Sequence, residues 1–206
     1  SEPTFKKFWL LHSIEEPTIE GNRFIVRRTK NGDTGMLQNH VLLPEAGNAQ
    51  IEKVGGKGKE FWVFGTNYPN DALPNRPDDA NERGAWRVEV SPAAPATEDC
   101  FLNVMQVADN TSKRMHDVKR IDAEKVVGVQ IADRVVTFSR DSQPLSGKVD
   151  MKVDGNAAMK FVITDLIPGT WQIKKDGKVY IPAMEVRSDD GILSFEGTAG
   201  HYEFLR

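Results

Sequence analysis

Four histidines are the residues best suited to acid–base or metal chemistry in this sequence: His12, His40, His116 and His201. Their spacing matches none of the H-x-H, H-x-x-x-H or H-E-x-x-H patterns that bring neighbouring ligands onto one metal ion. A zinc site would therefore need ligands that are distant in sequence to converge on folding. We predict no metal site and no cofactor.

Two of these histidines lie in strand-like segments. His12 ends the apolar run FWLLHS, and Glu15 follows closely enough to accept a hydrogen bond from its ring. His40 lies in LQNHVLLP, again among residues typical of a strand. We interpret both histidines as hydrogen-bonded structural residues and keep both as candidate substrate contacts.

Other catalytic patterns are missing from the sequence. A G-x-S-x-G elbow does not occur, which argues against a serine hydrolase. The segment GGKGKE at 55–60 lacks the Walker spacing and is better explained as a hairpin. The single cysteine, Cys100, excludes an internal disulfide and a cysteine-rich zinc site. We expect Cys100 to be a small buried residue in a strand.

The overall charge and hydropathy narrow the function classes further. The chain has 206 residues and a formal net charge of -3, so it lacks the basic excess of a non-specific nucleic-acid binder. Apolar runs all fall short of the ~18 residues of a membrane helix. The opening segment SEPTFKKF has no hydrophobic signal-peptide region. Because Ser1 is not an initiator methionine, we expect a processed, tagged or excised chain.

Alternating apolar and polar residues predict strands along most of the chain. In GAWRVEVSP, for example, Val88 and Val90 fall on one face and Arg87 and Glu89 on the other. Asn-Gly and Asp-Gly pairs predict hairpin turns, because Asn, Asp and Gly tolerate positive φ. These pairs are Asn31-Gly32, Asp176-Gly177 and Asp190-Gly191.

These elements together predict an all-β protein: an antiparallel β-sandwich or stacked sheets with a smaller C-terminal β-domain. We place the boundary between residues 1–112 and 113–206, where large strands with long loops give way to tight hairpins. The segment TSKRMHDVKRIDAEK, at 111–125, is predicted to be a loop with at most one helical turn.

The segment from Tyr68 to Gly84 has the composition of a long loop, with three prolines and two arginines, Arg76 and Arg83. Long loops inside compact domains often bind ligands, and a plain surface insertion is an equally good interpretation. Tyr68, at the mouth of this loop, is the aromatic residue that we most expect to be exposed. The four tryptophans lie in strand-like segments, and we expect them to pack in the core.

An ordered set of segments resembles the heparinase II/III-like polysaccharide lyases. Their order along nearly the whole chain carries the resemblance. The segments are KKFWLLHSIEEPTIEGN, GMLQNHVLLPE, IEKVGGKGKEFWV, GAWRVEVSPAAP, DCFLNVMQVAD, FVITDLIPGTWQI and GILSFEGTAGHYEFL.

The resemblance implies a part of a larger enzyme. Such lyases have a helical toroid, a central β-sandwich and a C-terminal β-domain, and they cleave uronic-acid-containing polysaccharides by β-elimination. Their catalytic tyrosine and histidine lie in parts that this chain does not contain, so the resemblance assigns His12 to the framework and predicts no catalytic residue here. It also implies two partners, an acidic polysaccharide and the helical catalytic domain, and neither nucleic acid nor membrane as a partner. The implied location is periplasmic or secreted, in a bacterium.

Two functions follow as expectations. In the first, the chain is the non-catalytic β-region of such a lyase and supports the cleft or binds substrate through His12, His40, Tyr68, Arg76 and Arg83, since arginine matches carboxylate and sulfate groups. In the second, it is a freestanding β-sandwich carbohydrate-binding module. The sequence upstream of Ser1 separates the two, because a contiguous helical region favours the first and a signal peptide the second. A purely structural domain would bind no glycan.

Overall fold

Strands and turns make up the regular structure of the described part of the chain, as the sequence predicts. The computed structural model describes residues 2, 5–68, 84–112 and 114–206, and these contain no helix. The all-β prediction is therefore confirmed for the described residues. Two units are distinguished by their internal contacts, Ser1–Met115 and His116–Arg206.

The described part of the first unit contains antiparallel sheets. Its strands are β1 (Trp9–Ser13), β2 (Thr18–Glu20), β3 (Arg23–Lys30), β4 (Asp33–Leu43), β5 (Ala49–Gly55), β6 (Trp62–Val63), β7 (Thr66–Asn67), β8 (Trp86–Pro92) and β9 (Leu102–Ala108). They form a three-stranded sheet in the order β1-β8-β5, a four-stranded sheet in the order β2-β3-β4-β9 and the small hairpin β6-β7. The predicted turn joins β3 to β4, with positive φ at both Asn31 and Gly32.

The core of the first unit is built from the alternating faces of its two larger sheets. Phe24 and Val41 come from the four-stranded sheet, and Val88 and Val90 from the three-stranded sheet; all four are fully buried. The Trp9 ring lies 6.3 Å from the Phe24 ring and packs against this core. The alternation predicted for β8 is thus confirmed, and it leaves Arg87 and Glu89 on the outward face.

The second unit contains two larger sheets. Its strands are β10 (Val118–Asp122), β11 (Val126–Ile131), β12 (Arg134–Ser139), β13 (Lys148–Val153), β14 (Met159–Ile163), β15 (Gly169–Lys175), β16 (Lys178–Val186), β17 (Leu193–Gly197) and β18 (Gly200–Leu205). The sheet orders are β10-β11-β12-β14-β17 and β13-β18-β15-β16.

One strand pair of the second unit departs from the antiparallel expectation. β12 and β14 pair in parallel, whereas the other named strand pairs of this unit are antiparallel. The reason is the crossover that includes β13: the chain leaves the five-stranded sheet, forms β13 in the other sheet, and returns in the original direction.

Two local predictions are wrong in the second unit. Residues 118–122 form strand β10 rather than a loop, because Ile121 alternates with charged neighbours and packs into the core. The Asp190-Gly191 turn does not close a hairpin, since β17, which follows it, pairs with β14 and not with β16. A turn dipeptide specifies local φ and ψ but not the sheet that the next strand joins.

A cluster of aromatic side chains forms much of the core of the second unit. Trp171, Phe161, Tyr202 and Phe204 are fully buried. The Trp171 indole donates a hydrogen bond of 3.0 Å to the carbonyl of Ile167. The Tyr202 ring lies 4.7 Å from the Phe161 ring, and its hydroxyl donates a hydrogen bond of 2.6 Å to the carbonyl of Thr198.

This tyrosine should make the second unit sensitive to high pH. Burial raises the pKa of Tyr202 to about 12, from an ordinary value of 10.0. The folded unit therefore favours the neutral phenol, and its free energy of unfolding should fall as the pH rises from about 10 to about 12. We expect Tyr202→Phe to flatten this dependence when urea unfolding is compared across that interval. An unchanged slope in the variant would contradict the assignment.

Candidate functional site

His12 lies on the outward face of β1, beside Arg87 of β8. The register pairs His12 with Arg87 directly across the two strands, and the His12 side chain is exposed to solvent. The end of β1 is shaped by the buried Ser13, whose hydroxyl donates a hydrogen bond of 2.8 Å to the carbonyl of Glu15. This bond turns the chain directly after His12.

A cavity of about 380 Å³ adjoins this end of β1. Its polar lining comes from His12, Ser13, Glu15 and Arg28, and its apolar lining from residues such as Leu11, Val26 and Leu37. A volume of this size lies within the range of small-ligand sites. The combination of an imidazole, a hydroxyl and a guanidinium is suited to hydrogen bonds with an oxygen-rich ligand.

His40 occupies a different environment, on β4. It is half-buried and lies opposite Arg23 of β3, which donates hydrogen bonds of 3.0 and 2.6 Å to the Glu20 carboxylate. Burial lowers the pKa of His40, and the neighbouring Arg23 charge lowers it further. The buried Nδ1 atom of His40 has no hydrogen-bond partner among the described residues. Burial and the Arg23 charge thus both favour the neutral form of the His40 imidazole.

The His40 environment gives a testable pH dependence. Because the folded pKa is lowered from 6.5, the folded state disfavours the charged ring, and this contribution to stability is present above pH 6.5 and lost as the pH falls below it. We expect an NMR titration of the His40 ring to give a pKa below 6.5, and Arg23→Gln to raise that pKa by removing the nearby charge. A ring that titrates at or above 6.5 in the parent chain would refute this assignment.

Tyr68 follows the β6-β7 hairpin and is 58% exposed, so its expected exposure is confirmed. The Tyr68 amide donates a hydrogen bond of 3.2 Å to the carbonyl of Phe61, which fixes the end of the hairpin. Phe64 at the hairpin tip is 99% exposed. Arg76 and Arg83, the two remaining predicted contacts, lie outside the described residues.

The structure places the three described contacts, His12, His40 and Tyr68, in separate environments. The cavity beside His12 is lined by neither His40 nor Tyr68 among the described residues. His40 alternates with the core-facing Asn39 and Val41 and so lies on the outward side of its sheet. The role of all five residues as substrate contacts stays a prediction.

Sequence reasoning did not identify two features of this unit, Arg28 in the cavity and Phe64 at the hairpin tip. Phe64 has a φ of 45°, and the adjacent Gly65 has a φ of 90°, which is the geometry of a tight hairpin turn. The dipeptide Phe64-Gly65 is not a typical hairpin signal. The two-residue spacing between Val63 and Thr66 was the only indication of a turn here. The prediction that Cys100 is buried in a strand is wrong: Cys100 is exposed and precedes β9, because the strand begins only at Leu102.

The described residues contain no group of three or more histidine, cysteine, aspartate or glutamate side chains placed to hold a metal ion. In the same part of the chain, no helix has the length and apolar character needed to cross a membrane.

Comparison with known proteins identifies the second unit. Residues 120–206 match the family model described as the heparinase II C-terminal domain. No curated protein matches the chain. The matched residues include β11 to β18 and most of β10, that is, the two sheets and the aromatic core of the second unit. The resemblance to heparinase II/III-like lyases is thus confirmed for residues 120–206, which are similar to the heparinase II C-terminal domain.

Proposed function

We propose that this chain is the non-catalytic β-region of a heparinase II/III-like polysaccharide lyase. The observation that carries the proposal is the match of residues 120–206 to the heparinase II C-terminal domain. In this proposal residues 1–112 are the later part of the lyase-type sandwich and residues 113–206 are the C-terminal β-domain. The full-length enzyme would cleave uronic-acid-containing polysaccharide by β-elimination.

β-Elimination requires a base for the C5 proton, a group that stabilises the resulting enolate, and an acid for the leaving oxygen. In our proposal these groups belong to other parts of the enzyme, and the chain supports the cleft and contacts the sugar. In this proposal His40 is a framework residue, because its ring is half-buried beside the Arg23 charge and its Nδ1 atom is shielded from solvent. The exposed His12, with a cavity beside it, is suited to a sugar contact.

The remaining contacts follow from side-chain chemistry. Tyr68 presents an exposed ring on which a pyranose can stack. Arg76 and Arg83 would pair with carboxylate or sulfate groups of an acidic polysaccharide through their guanidinium groups. The partners in this proposal are that polysaccharide and the helical catalytic domain, and the location is periplasmic or secreted, where such polysaccharides occur.

The proposal is tested by activity and binding of the isolated chain. We expect no release of unsaturated products, measured by ultraviolet absorbance, from heparin, heparan sulfate or alginate. We expect salt-dependent retention of the chain on immobilised heparin. The double variant Arg76→Gln/Arg83→Gln should elute at lower salt, whereas the control Arg134→Gln/Arg187→Gln, in the second unit, should elute like the parent.

Lyase activity of the isolated chain would refute the non-catalytic role. Equal elution of the parent and the Arg76→Gln/Arg83→Gln variant would refute the assignment of these arginines as contacts with acidic sugar.

A further inference from the structure

A second cleft, of about 470 Å³, lies on the outward face of the β1-β8-β5 sheet. Its floor is formed by polar side chains of β5 and β8, and its walls by residues 5–8, 92–96 and 99. All of these residues belong to the first unit, and the described lining of the cleft includes none of the predicted contacts His12, His40 and Tyr68.

Four hydrogen-bonding side chains form the floor: Gln50 and Glu52 on β5, and Glu89 and Ser91 on β8. The register pairs Gln50 with Ser91 and Glu52 with Glu89. Directly paired residues have Cβ atoms about 5 Å apart, and residues two apart on one strand are separated by about 7 Å. These spacings match the width of one pyranose ring with its hydroxyl groups, so one ring can reach all four side chains.

The charges of the cleft balance. Arg87 donates a hydrogen bond of 2.6 Å from Nε to the Glu89 carboxylate, and both side chains are largely buried. Lys7 is likewise paired with Asp99 at 2.8 Å. Outside these two ion pairs, the charged residues that line the cleft are Lys6 and Glu52. Glu52 makes no ion pair among the described residues. A near-neutral site with carboxylate acceptors on its floor favours a neutral ligand that donates hydrogen bonds over a polyanion.

The position of Glu52 supports a hydroxyl-donating ligand. The carboxylates of Glu52 and Glu89 lie directly opposite each other on neighbouring strands and therefore repel. The Arg87 guanidinium neutralises the charge of Glu89 but not that of Glu52. A ligand that donates hydroxyl hydrogens to both carboxylates would offset this repulsion.

The walls of the cleft are fixed and carry aromatic rings. Lys7 joins the two walls, because its Nζ atom donates hydrogen bonds to the Asp99 carboxylate and to the carbonyl of Ala96. Its side chain and that of Asp99 are 22% and 14% exposed, so this pair is partly shielded from water. Phe8 is 42% exposed and Phe5 is 61% exposed, and both line the cleft. Exposed rings beside a polar floor are suited to stacking on the apolar face of a sugar.

We propose that this cleft is a binding site for an uncharged, hydroxyl-rich pyranose unit of a glycan. Gln50, Glu52, Glu89 and Ser91 would bind the hydroxyl groups, and Phe8 would stack on the ring. The inference goes beyond the proposed function and does not rest on it, because that function concerns acidic sugars at other residues.

The test is an NMR titration of the 206-residue chain with tetrasaccharides of equal length. The neutral probes are cellotetraose, xylotetraose, mannotetraose, maltotetraose and chitotetraose, and the anionic probe is tetragalacturonate. We expect at least one neutral probe to shift the amide signals of residues 50–52 and 89–91 with millimolar or tighter affinity. We expect at least tenfold weaker binding of the anionic probe at the same signals.

Two variants separate binding from folding. Glu52→Ala changes an exposed side chain and should weaken binding of the neutral probe at least tenfold, and Phe8→Ala should also weaken it. Glu124→Ala, an exposed glutamate of the second unit, should bind like the parent. The inference is overturned if no neutral probe shifts these signals, if the anionic probe binds equally well, or if Glu52→Ala leaves the affinity unchanged.

Discussion

Trp171→Ala is expected to lower the free energy of unfolding of the second unit by about 3–5 kcal/mol, the usual range for removing a buried large aromatic side chain. Trp171 is fully buried in the core of this unit. The substitution leaves a cavity that close-packed neighbours fill only in part, and it also leaves the carbonyl of Ile167 without its 3.0 Å hydrogen bond.

Hydrogen exchange of second-unit amides across a urea series measures this loss. The matched control is Val179→Ala in the same sheet, because Val179 is 54% exposed and its truncation removes little buried area. We expect the control to stay within about 0.5 kcal/mol of the parent. A loss below about 1 kcal/mol for Trp171→Ala would be inconsistent with the close packing of a fully buried ring.

Phe24→Ala should have an effect of similar size on the first unit, again about 3–5 kcal/mol. Phe24 is fully buried and contacts the core that both larger sheets share, with the Trp9 ring 6.3 Å away. Removing this ring takes away packing from both sheets at once, so we expect exchange of the amides of β3, β4 and β8 to accelerate together.

The first unit offers a control with the same chemical change. Phe64 is 99% exposed at the tip of the β6-β7 hairpin, and Phe64→Ala removes the same atoms from solvent rather than from a core. Both Phe and Ala are strained at the φ of 45° found at position 64, so the backbone strain cancels when the variant is compared with the parent. We expect Phe64→Ala to lie within about 0.5 kcal/mol of the parent. Equal losses for Phe24→Ala and Phe64→Ala would show that burial of Phe24 does not stabilise this unit.

Much of the fold could be predicted because its signals are local. Alternation in β8 placed Val88 and Val90 in the core, and the pairs Asn31-Gly32 and Asp176-Gly177 marked real hairpins. The same local signals misled at Asp190-Gly191, where the chain passes to another sheet. The parallel pairing of β12 with β14 is likewise absent from any local pattern, since it depends on a crossover that includes a strand of the other sheet.

The candidate sites were less predictable for the same reason. His12 and Tyr68 could be named from their surroundings in sequence, and both are exposed. The Gln50–Ser91 and Glu52–Glu89 pairs could not, because the partners are about 40 residues apart and meet only through the register of β5 with β8.

By itself, the sequence determined the all-β class, the outward and inward faces of individual strands, several turns and the resemblance that the family match confirms for residues 120–206. Each of these depends on side-chain alternation, turn propensity or segment order, which act over a few residues. Tertiary structure alone decided that His40 lies beside Arg23 with a lowered pKa, and that Glu52 is paired with Glu89 in a cleft that two exposed phenylalanines also line. Desolvation, charge pairing and cleft shape arise from residues brought together across strands, and strand register exists only in the folded chain.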